Sequence, residues 1–478
     1  MSRPRRVVFW IVALVAGLLL LVALAVPRFV DVGPCKSRLE AVASGAMGMD
    51  VRIGGRLGVG FFPGFHVTME EGRILDGRRV AVASASRAVL WIDPLLMLRG
   101  QFRLHRLQLT QPRLFVERDL RGRFNVERLR KAAALLGALE GASVSLSDGT
   151  LLYADRRSGR GFEVRGFDLV VSRIAFAGRG GPGSLKGLSL EAQLGCSEVR
   201  TKHLTVSALK ATVLGKNGML RFEPVTMRLF GGQLAGNLRV DVSGPVPRYQ
   251  AHGSLPHFRI EEFLRTLSPK QAVEGTMAFS ASLSMRGNTV RQIVRTAAGE
   301  VSLRGDDLVL EGNDLDRALS RFESSRNFNL VDVGAVFLAG PLGLAVTKGY
   351  DFASNFRGSG GSSRIRTLAS DWRIERGVAR AEDVALATAR NRIALQGGLD
   401  FVNGRFADVT VAAIDARGCA RVRQAIHGPF GKPVVEKPRL LTSLVGPVLG
   451  IFRRTRKLLP AGPCEPFYSG SVAAPTSR

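Results

Sequence analysis

The sequence has few cysteines, histidines and aromatic residues for a chain of 478 residues. It contains 4 Cys, 6 His, 3 Trp and 4 Tyr, and none of the Cys or His residues stands at the spacing of metal ligands. The motifs H-E-x-x-H, C-x-x-C and G-x-S-x-G are also missing. The glycine-rich segment 178–183 contains Pro182 and leads into a strand pattern, whereas a dinucleotide site needs a helix there. We therefore expect no enzyme activity, no metal and no cofactor.

Acidic residues are fewer than basic ones. The chain has 40 Asp and Glu and 68 Lys and Arg, which gives a formal net charge of +28. Arginine makes up 57 of the 68 basic residues. A charge of this size is typical of proteins that bind nucleic acid or anionic lipid. The arginines are spread over the whole length and accompany no nucleic-acid-binding motif. We therefore expect no nucleic acid partner. Two explanations of the positive charge remain, namely solvated strand faces and attraction to anionic lipid headgroups.

One long hydrophobic run is present, at residues 7–26, where 20 apolar residues follow three arginines. This length matches the roughly 20 residues that a helix needs to cross a bilayer. The preceding arginines keep residues 1–6 in the cytoplasm, so the rest of the chain lies outside it. A cleaved signal peptide is the alternative, with Ala23 and Ala25 as an A-x-A-like site, but its apolar region is typically 7–15 residues long. The pattern predicts a single-pass anchor.

The four cysteines belong to a chain that is expected to leave the cytoplasm, where disulfides form. Cys419 and Cys464 both lie in the last sixty residues and are the candidate disulfide pair. A bond between them would raise the free energy of unfolding by roughly 4 kcal/mol, because it would close a loop and so reduce the entropy of the unfolded chain. Cys35 and Cys196 are far apart in sequence, and we interpret each as a lone thiol.

Strand patterns dominate the chain after the apolar run. Residues 102–125 alternate apolar and basic residues almost one for one, and residues 276–287 and 390–401 repeat the alternation. Such alternation predicts strands with one face hidden from water. The candidate site residues are the apolar positions of these strands: Phe102, Leu104, Leu107, Leu109, Met277, Phe279, Leu283, Met285, Ile393, Leu395, Leu399 and Phe401.

Turn signals are frequent and helices are few. Four pairs able to adopt positive φ predict two-residue hairpin turns: Asp76-Gly77, Asp148-Gly149, Asn217-Gly218 and Asn403-Gly404. Short turns between successive strands predict an antiparallel meander. The predicted helices are 35–48, 126–141, 259–267, 289–299 and 313–324.

Several stretches, taken in order, carry a resemblance to a known family. Residues 54–63 follow a pattern of strand, Gly, short strand and Pro. Residues 93–100 lead into a strand that ends at Pro112, with a Gly-x-x-Asn-like finish at Gly122 and Asn125. Behind the N-terminal apolar segment, this order resembles the AsmA family of Gram-negative envelope proteins. The later matching stretches are 221–244, 299–319, 418–435 and 464–472.

The resemblance implies a mainly β fold, in which an N-terminal transmembrane helix precedes a long, curved antiparallel β-sheet that forms an open groove, with a few short helices. Together with the apolar run and the strand patterns, it predicts five parts of the chain. These are a cytoplasmic N-terminus 1–6, an anchor 7–26, an N-terminal AsmA-like region 27–140, a central β-meander 141–260 and a C-terminal AsmA-like region 261–478.

The resemblance also implies a function, because AsmA-like proteins are similar to bridge-like lipid-transfer proteins. The candidate site residues would then line a groove for phospholipid tails. The protein would be anchored in the bacterial inner membrane through residues 7–26, with its bulk in the periplasm, and would carry or conduct phospholipids toward the outer membrane. Such a protein has no catalytic residues.

Other interpretations stay open at this point. Alternating strands commonly pack on a second sheet in a sandwich instead of lining a groove. A non-catalytic outer-membrane assembly factor or envelope scaffold, which contacts partners through exposed strand edges, is the alternative function. A regulator of a partner membrane protein, acting through the anchor helix, is a third hypothesis. A protein partner in the outer or inner membrane is expected under these hypotheses as well.

Overall fold

The computed structural model describes residues 33–77, 79–93, 104–126, 139–176, 187–266, 273–312, 314–317, 319, 361–440 and 464–475. The predicted transmembrane segment 7–26 lies outside these ranges. Within them, no helix is both long and apolar enough to cross a membrane.

The described part of the chain is mainly β, with 23 strands in one mixed sheet and few helices. The first thirteen strands are β1 (Asp50–Ile53), β2 (Leu57–Gly60), β3 (His66–Leu75), β4 (Ala81–Ile92), β5 (Leu104–Thr110), β6 (Arg113–Arg118), β7 (Ser143–Asp155), β8 (Arg160–Phe176), β9 (Leu188–Thr201), β10 (Thr205–Lys216), β11 (Met219–Leu229), β12 (Gly232–Asp241) and β13 (Arg248–Arg259). The other ten are β14 (Val273–Glu274), β15 (Thr276–Arg286), β16 (Ala298–Glu311), β17 (Ser362–Glu375), β18 (Val378–Ala387), β19 (Arg392–Asp400), β20 (Arg405–Ile414), β21 (Ala420–Pro429), β22 (Val434–Val435) and β23 (Arg439–Leu440).

Three predicted helices are confirmed: α1 (Gly33–Met47), α2 (Ile260–Arg265) and α3 (Val290–Thr296). Helix α3 begins where the Thr289 hydroxyl accepts a hydrogen bond from the Gln292 amide at 3.3 Å, which is a standard N-terminal cap. Of the helix predicted at 313–324, residues 315–317 and 319 are helical. Most of the helix predicted at 126–141 lies outside the described residues.

The chain divides into two compact units. Unit 1 comprises residues 1–227 and 241–244, and unit 2 comprises residues 228–240 and 245–478. Unit 1 therefore contains strands β1–β10 and most of β11, and unit 2 contains β13–β23 together with almost all of β12.

The prediction of a purely antiparallel sheet is wrong at one place in unit 1. Strands β5 and β6 both pair in parallel with β7, while both pair antiparallel with β4. They form one strand path that is interrupted at Gln111, with φ +49, and at Pro112, which has no amide hydrogen for the ladder. Strand β7 therefore begins beside the start of β5, where Ser143 pairs with Arg106, and a parallel pair of this kind needs a crossover connection instead of a tight turn.

The hairpin turn predicted at Asp148-Gly149 is also wrong, because both residues lie inside β7. Asp148 has φ +54, and the pairing register of β7 with β8 shifts on both sides of Gly149. This is a β-bulge, which inserts one extra residue and so moves the apolar positions from even to odd numbers. The turn predicted at Asn217-Gly218 is confirmed, with φ +49 and +80 between β10 and β11.

Ala208 is a further bulge residue, exposed in β10 with φ +52. A left-handed backbone costs an L-residue about 1–2 kcal/mol, whereas glycine adopts it freely at an entropic cost of about 0.4–1 kcal/mol. We expect Ala208→Gly to raise the free energy of unfolding by about 0.5–1 kcal/mol in urea denaturation. The matched control is Ala211→Gly in the same strand, which removes a buried methyl group and should lower stability by about 1 kcal/mol. A destabilised Ala208→Gly protein would contradict the assignment of strain.

Unit 2 has one large hydrophobic core on one face of its strands. Helix α2 contributes Ile260, Phe263 and Leu264, and residues Leu315 and Leu319 also belong to the core. The strands contribute fully buried side chains, among them Leu386 and Phe406. This face of unit 2 therefore packs against protein.

A second cluster covers the opposite face of unit 2. Four buried alanines are register partners on β17–β20, and their small side chains leave room for another layer: Ala369, Ala385, Ala394 and Ala412. That layer is the C-terminal segment 464–475, called the strap below, whose Phe467, Tyr468 and Val472 pack on the alanines.

Polar contacts hold the strap in place. The buried Arg392 donates to the Val472 carbonyl at 2.9 Å and lies over the Tyr468 ring at 5.5 Å. The Tyr468 hydroxyl donates to Asp383, and the Ser471 amide donates to the same carboxylate at 3.1 Å. Burial opposes ionisation of Asp383, but these hydrogen bonds and the nearby Arg304 together hold its pKa below the ordinary value. The strap is thus part of the folded unit.

Candidate functional site

The apolar face of unit 1 contains two neighbouring rows of side chains that cross eight strands. Within each row, successive residues are register partners on β2, β3, β4, β5, β7, β8, β9 and β10. The first row is Leu57, Met69, Ala88, Leu109, Leu146, Leu169, Leu194 and Ala211. The second row is Val59, Val67, Leu90, Leu107, Val144, Val171, Ala192 and Val213. The rows are two residues apart on every strand, so they share one face. We call these sixteen residues the apolar floor.

The floor differs from a closed core in its exposure. Six of its residues are buried and the other ten are half-buried. Eight strands spaced about 4.8 Å apart span roughly 34 Å. One lipid tail occupies half of the hydrocarbon core of a bilayer, or about 15 Å. The floor is therefore long enough for several tails side by side.

A third apolar row continues the floor beyond the bulges. Seven of its eight members lie five residues from the first row on the same strand path, an odd number that the inserted bulge residue compensates, and the eighth, Val51 on β1, pairs with Ile74. It includes β1 and β6 in place of β2 and β5: Val51, Ile74, Ala83, Leu114, Leu151, Val164, Val199 and Val206. The bulges thus keep apolar side chains on one face along most of each strand.

The opposite face of the same strands is polar. Arg165 donates to Glu163 at 2.7 Å, and Arg200 lies 2.7 Å from Glu198. The hydrogen bond from Arg165 lowers the pKa of Glu163, so this carboxylate is charged at neutral pH. Exposed ion pairs of this kind add little stability. Their presence shows that this face is solvated and that the sheet is amphipathic.

A free cysteine lies between the first and third rows. Cys196 is buried and pairs in register with Phe167 on β8 and Leu209 on β10. Burial raises the pKa of its thiol. A buried, protonated thiol behaves as a small apolar side chain, so Cys196 extends the apolar surface and does not supply a reactive group.

The structure places the predicted site residues of unit 1 on this face. Leu107 and Leu109 belong to the floor, and both are half-buried. Leu104 pairs with Ile92 and is buried at the start of β5. Phe102 lies outside the described residues.

The predicted site residues of unit 2 are in a different environment. Met277 and Ile393 lie in one register row across β15–β19, and both are buried in the core. Leu395 and Leu399 are also buried there. Phe279, Leu283 and Phe401 are partly buried against this core, and Met285 is half-buried on β15. Met277, Ile393, Leu395 and Leu399 are therefore closed into the core of unit 2, whereas ten residues of the floor of unit 1 are half-open.

Sequence reasoning missed most of the floor. Its residues on β3, β4 and β7–β10 were not among the candidates, although the strands that carry them alternate in the same way. The signal was weakened because each bulge shifts the alternation by one residue, and a search for strict period-two patterns then breaks the strand into two short pieces.

Cys419 and Cys464 form a disulfide, with their Cα atoms 6.2 Å apart. The bond ties the strap to the turn before β21. Among the residues that the structure describes, no group of three or more His, Cys, Asp or Glu side chains is placed to hold a metal ion.

Comparison with protein families gives one match. The model of the AsmA family matches residues 1–138 and 185–384, which is most of the chain. The segment between the two matches contains the whole of β7 and β8, which also contribute to the floor. A search of curated proteins found no match.

Proposed function

Because the chain belongs to the AsmA family, which is an envelope family, we propose that it carries or conducts phospholipids along the apolar floor toward the outer membrane. The observation that supports this proposal most is the floor itself. Sixteen register partners on eight strands are apolar without exception, and ten of them are only half-buried.

The energetics favour a passive role. Exposing an acyl chain to water costs about 0.8 kcal/mol per methylene, or roughly 10 kcal/mol for a long tail. An apolar surface that accepts the tail removes most of this barrier without any chemical step. We therefore propose no catalytic residue and no cofactor, and the direction of transport would follow from the lipid supply at either end.

We further propose that residues 7–26 anchor the chain in the inner membrane, with residues 1–6 in the cytoplasm and the bulk in the periplasm. The Cys419–Cys464 disulfide supports this placement, because disulfides persist in oxidising compartments such as the periplasm. Phospholipids are the proposed partners, and a protein partner in either membrane would receive or supply them.

The decisive variant places a charge on the floor. Leu169 is half-buried in the first row, between Leu146 and Leu194, and a glutamate there would have to lose its hydration against lipid tails, at a cost of several kcal/mol. We expect Leu169→Glu to reduce phospholipid transfer at least about tenfold, since about 1.4 kcal/mol already corresponds to that factor. Transfer is measured with the full chain in donor vesicles that contain a fluorescent phospholipid, with acceptor vesicles added.

The matched control is Val170→Glu. Val170 is the next residue on β8, 49% exposed, and points to the polar face. The same charge at this position should leave transfer unchanged. Equal transfer by wild type and Leu169→Glu, with both proteins folded, would contradict lipid conduction and favour the assembly-factor hypothesis.

A further inference from the structure

Three turns of unit 1 lie next to one another, because each connects to strands whose ends are adjacent in the sheet. The parallel strands β6 and β7 end together, with Arg118 paired to Asp155, and Asp155 pairs in turn with Arg160 at the start of β8. Strand β9 ends opposite the same region, where Thr201 pairs with Phe162. The turns 119–123, 156–159 and 202–204 therefore lie in a row over five adjacent strands. Four gaps of about 4.8 Å make this row roughly 19 Å long.

The side chains along this row are strongly basic. Arg123 and Arg156 have acidic partners, at 3.2 Å from Asp119 and 2.9 Å from Glu117. Four other basic residues are exposed and form no ion pair with a described residue: Arg121, Arg157, Arg160 and Lys202. We call these four residues the basic rim. Unpaired charges of one sign, brought together by three separate turns, create a local positive field.

Between the floor and the basic rim lies an aromatic pair. Tyr153 and Phe162 are register partners two residues beyond the third row, and their rings stack at 5.1 Å. Phe162 is 37% exposed, and Leu120 in the neighbouring turn is 72% exposed. From the floor to the basic rim, the surface thus changes from apolar side chains to aromatic rings and then to basic residues. Proteins at a bilayer interface show the same order, with their aromatic rings at headgroup level.

We propose that the basic rim binds the phosphate groups of lipids whose tails lie on the apolar floor, so that the protein prefers acidic phospholipids as cargo. Guanidinium groups bind phosphate through paired hydrogen bonds, and a headgroup with a net negative charge adds attraction that a zwitterionic one lacks. The strand path from Tyr153 to Val144 is about 30 Å long at 3.3 Å per residue, which exceeds one tail. The inference rests on the proposed function and adds the orientation and class of the lipid.

The test is a competition between two lipids. The full-length chain is incubated with vesicles of equimolar phosphatidylglycerol and phosphatidylethanolamine and repurified, and its bound lipids are quantified by mass spectrometry. We expect the wild type to enrich phosphatidylglycerol about fivefold over the mixture. The variant Arg121→Ser, Arg157→Ser, Arg160→Ser, Lys202→Ser should retain a similar total of lipid, with a ratio close to that of the mixture.

The control removes the same charge from exposed positions on the polar face of the strands. The substitutions are Arg87→Ser, Arg113→Ser, Lys210→Ser and Arg221→Ser. This control should keep the wild-type preference, and equal thermal midpoints will show that all three proteins are folded. No enrichment in the wild type, or the same loss in rim and control variants, would overturn the proposal while leaving lipid binding intact. The absence of bound lipid from every protein would instead overturn the proposed function and this inference with it.

Discussion

Replacing both Cys419 and Cys464 with serine should lower the free energy of unfolding of unit 2 by about 4 kcal/mol. The two cysteines are 45 residues apart in sequence, and without the bond the unfolded chain gains the entropy of an open loop of that length. The strap also loses its covalent tie to the turn before β21. Hydrogen exchange on peptides from β18–β20, which the strap covers, measures the loss where it arises.

A reducing agent provides the control for this prediction. Dithiothreitol should destabilise the wild type by the same amount and leave the double serine variant unchanged. Cys196 is buried and unpaired, so it should not contribute to the response. Equal protection of β18–β20 with and without the disulfide would show that the contacts of Arg392 and Asp383 alone hold the strap.

Replacing Phe406 with alanine should cost unit 2 about 3–5 kcal/mol. The side chain is 1% exposed, and its ring meets that of Phe430 edge to face at 5.1 Å. Removing it leaves a cavity that the paired strands on both sides cannot close, because Phe406 is held in register with Leu399 and Gly428. Urea denaturation, followed by hydrogen exchange in β19–β21, measures the effect.

Phe62→Ala is the matched control, because Phe62 is 90% exposed and its replacement should lower the free energy of unfolding by less than about 0.5 kcal/mol.

The Phe406 variant also tests which of the two units binds lipid. Since the core of unit 2 is closed and the floor lies in unit 1, we expect Phe406→Ala to retain lipid binding under conditions in which unit 2 stays folded. Loss of lipid without loss of fold would place the lipid site in unit 2 instead.

Local signals predicted much of the fold. The helix over 289–299 was predictable because Thr289 is a favourable capping residue. The turn at Asn217-Gly218 was predictable because Asn and Gly tolerate positive φ. Both features depend on neighbours within a few residues, which the sequence contains in full.

Signals of the same kind failed where long-range pairing competes with them. Asp148-Gly149 has turn chemistry, but pairing of β7 with β6 and β8 on both sides holds it as a bulge inside the strand. The parallel pairs of β7 were likewise hidden, since adjacent strands in a sequence of short turns are expected to run antiparallel. Neither the bulge nor the parallel direction of β7 depends on residues that are close together in sequence.

Alternation and residue order were enough to predict that the chain is mainly β, that its strands are amphipathic and that it belongs to the AsmA family. They could not determine which apolar faces are open. Leu109 and Leu395 stand in similar alternating strands, yet Leu109 is half-buried on the floor and Leu395 is buried in the core of unit 2. Alternation specifies only that a side chain leaves water. The partner that covers the side chain comes from segments distant in sequence, so only the tertiary structure separated the candidate lipid surface from the core.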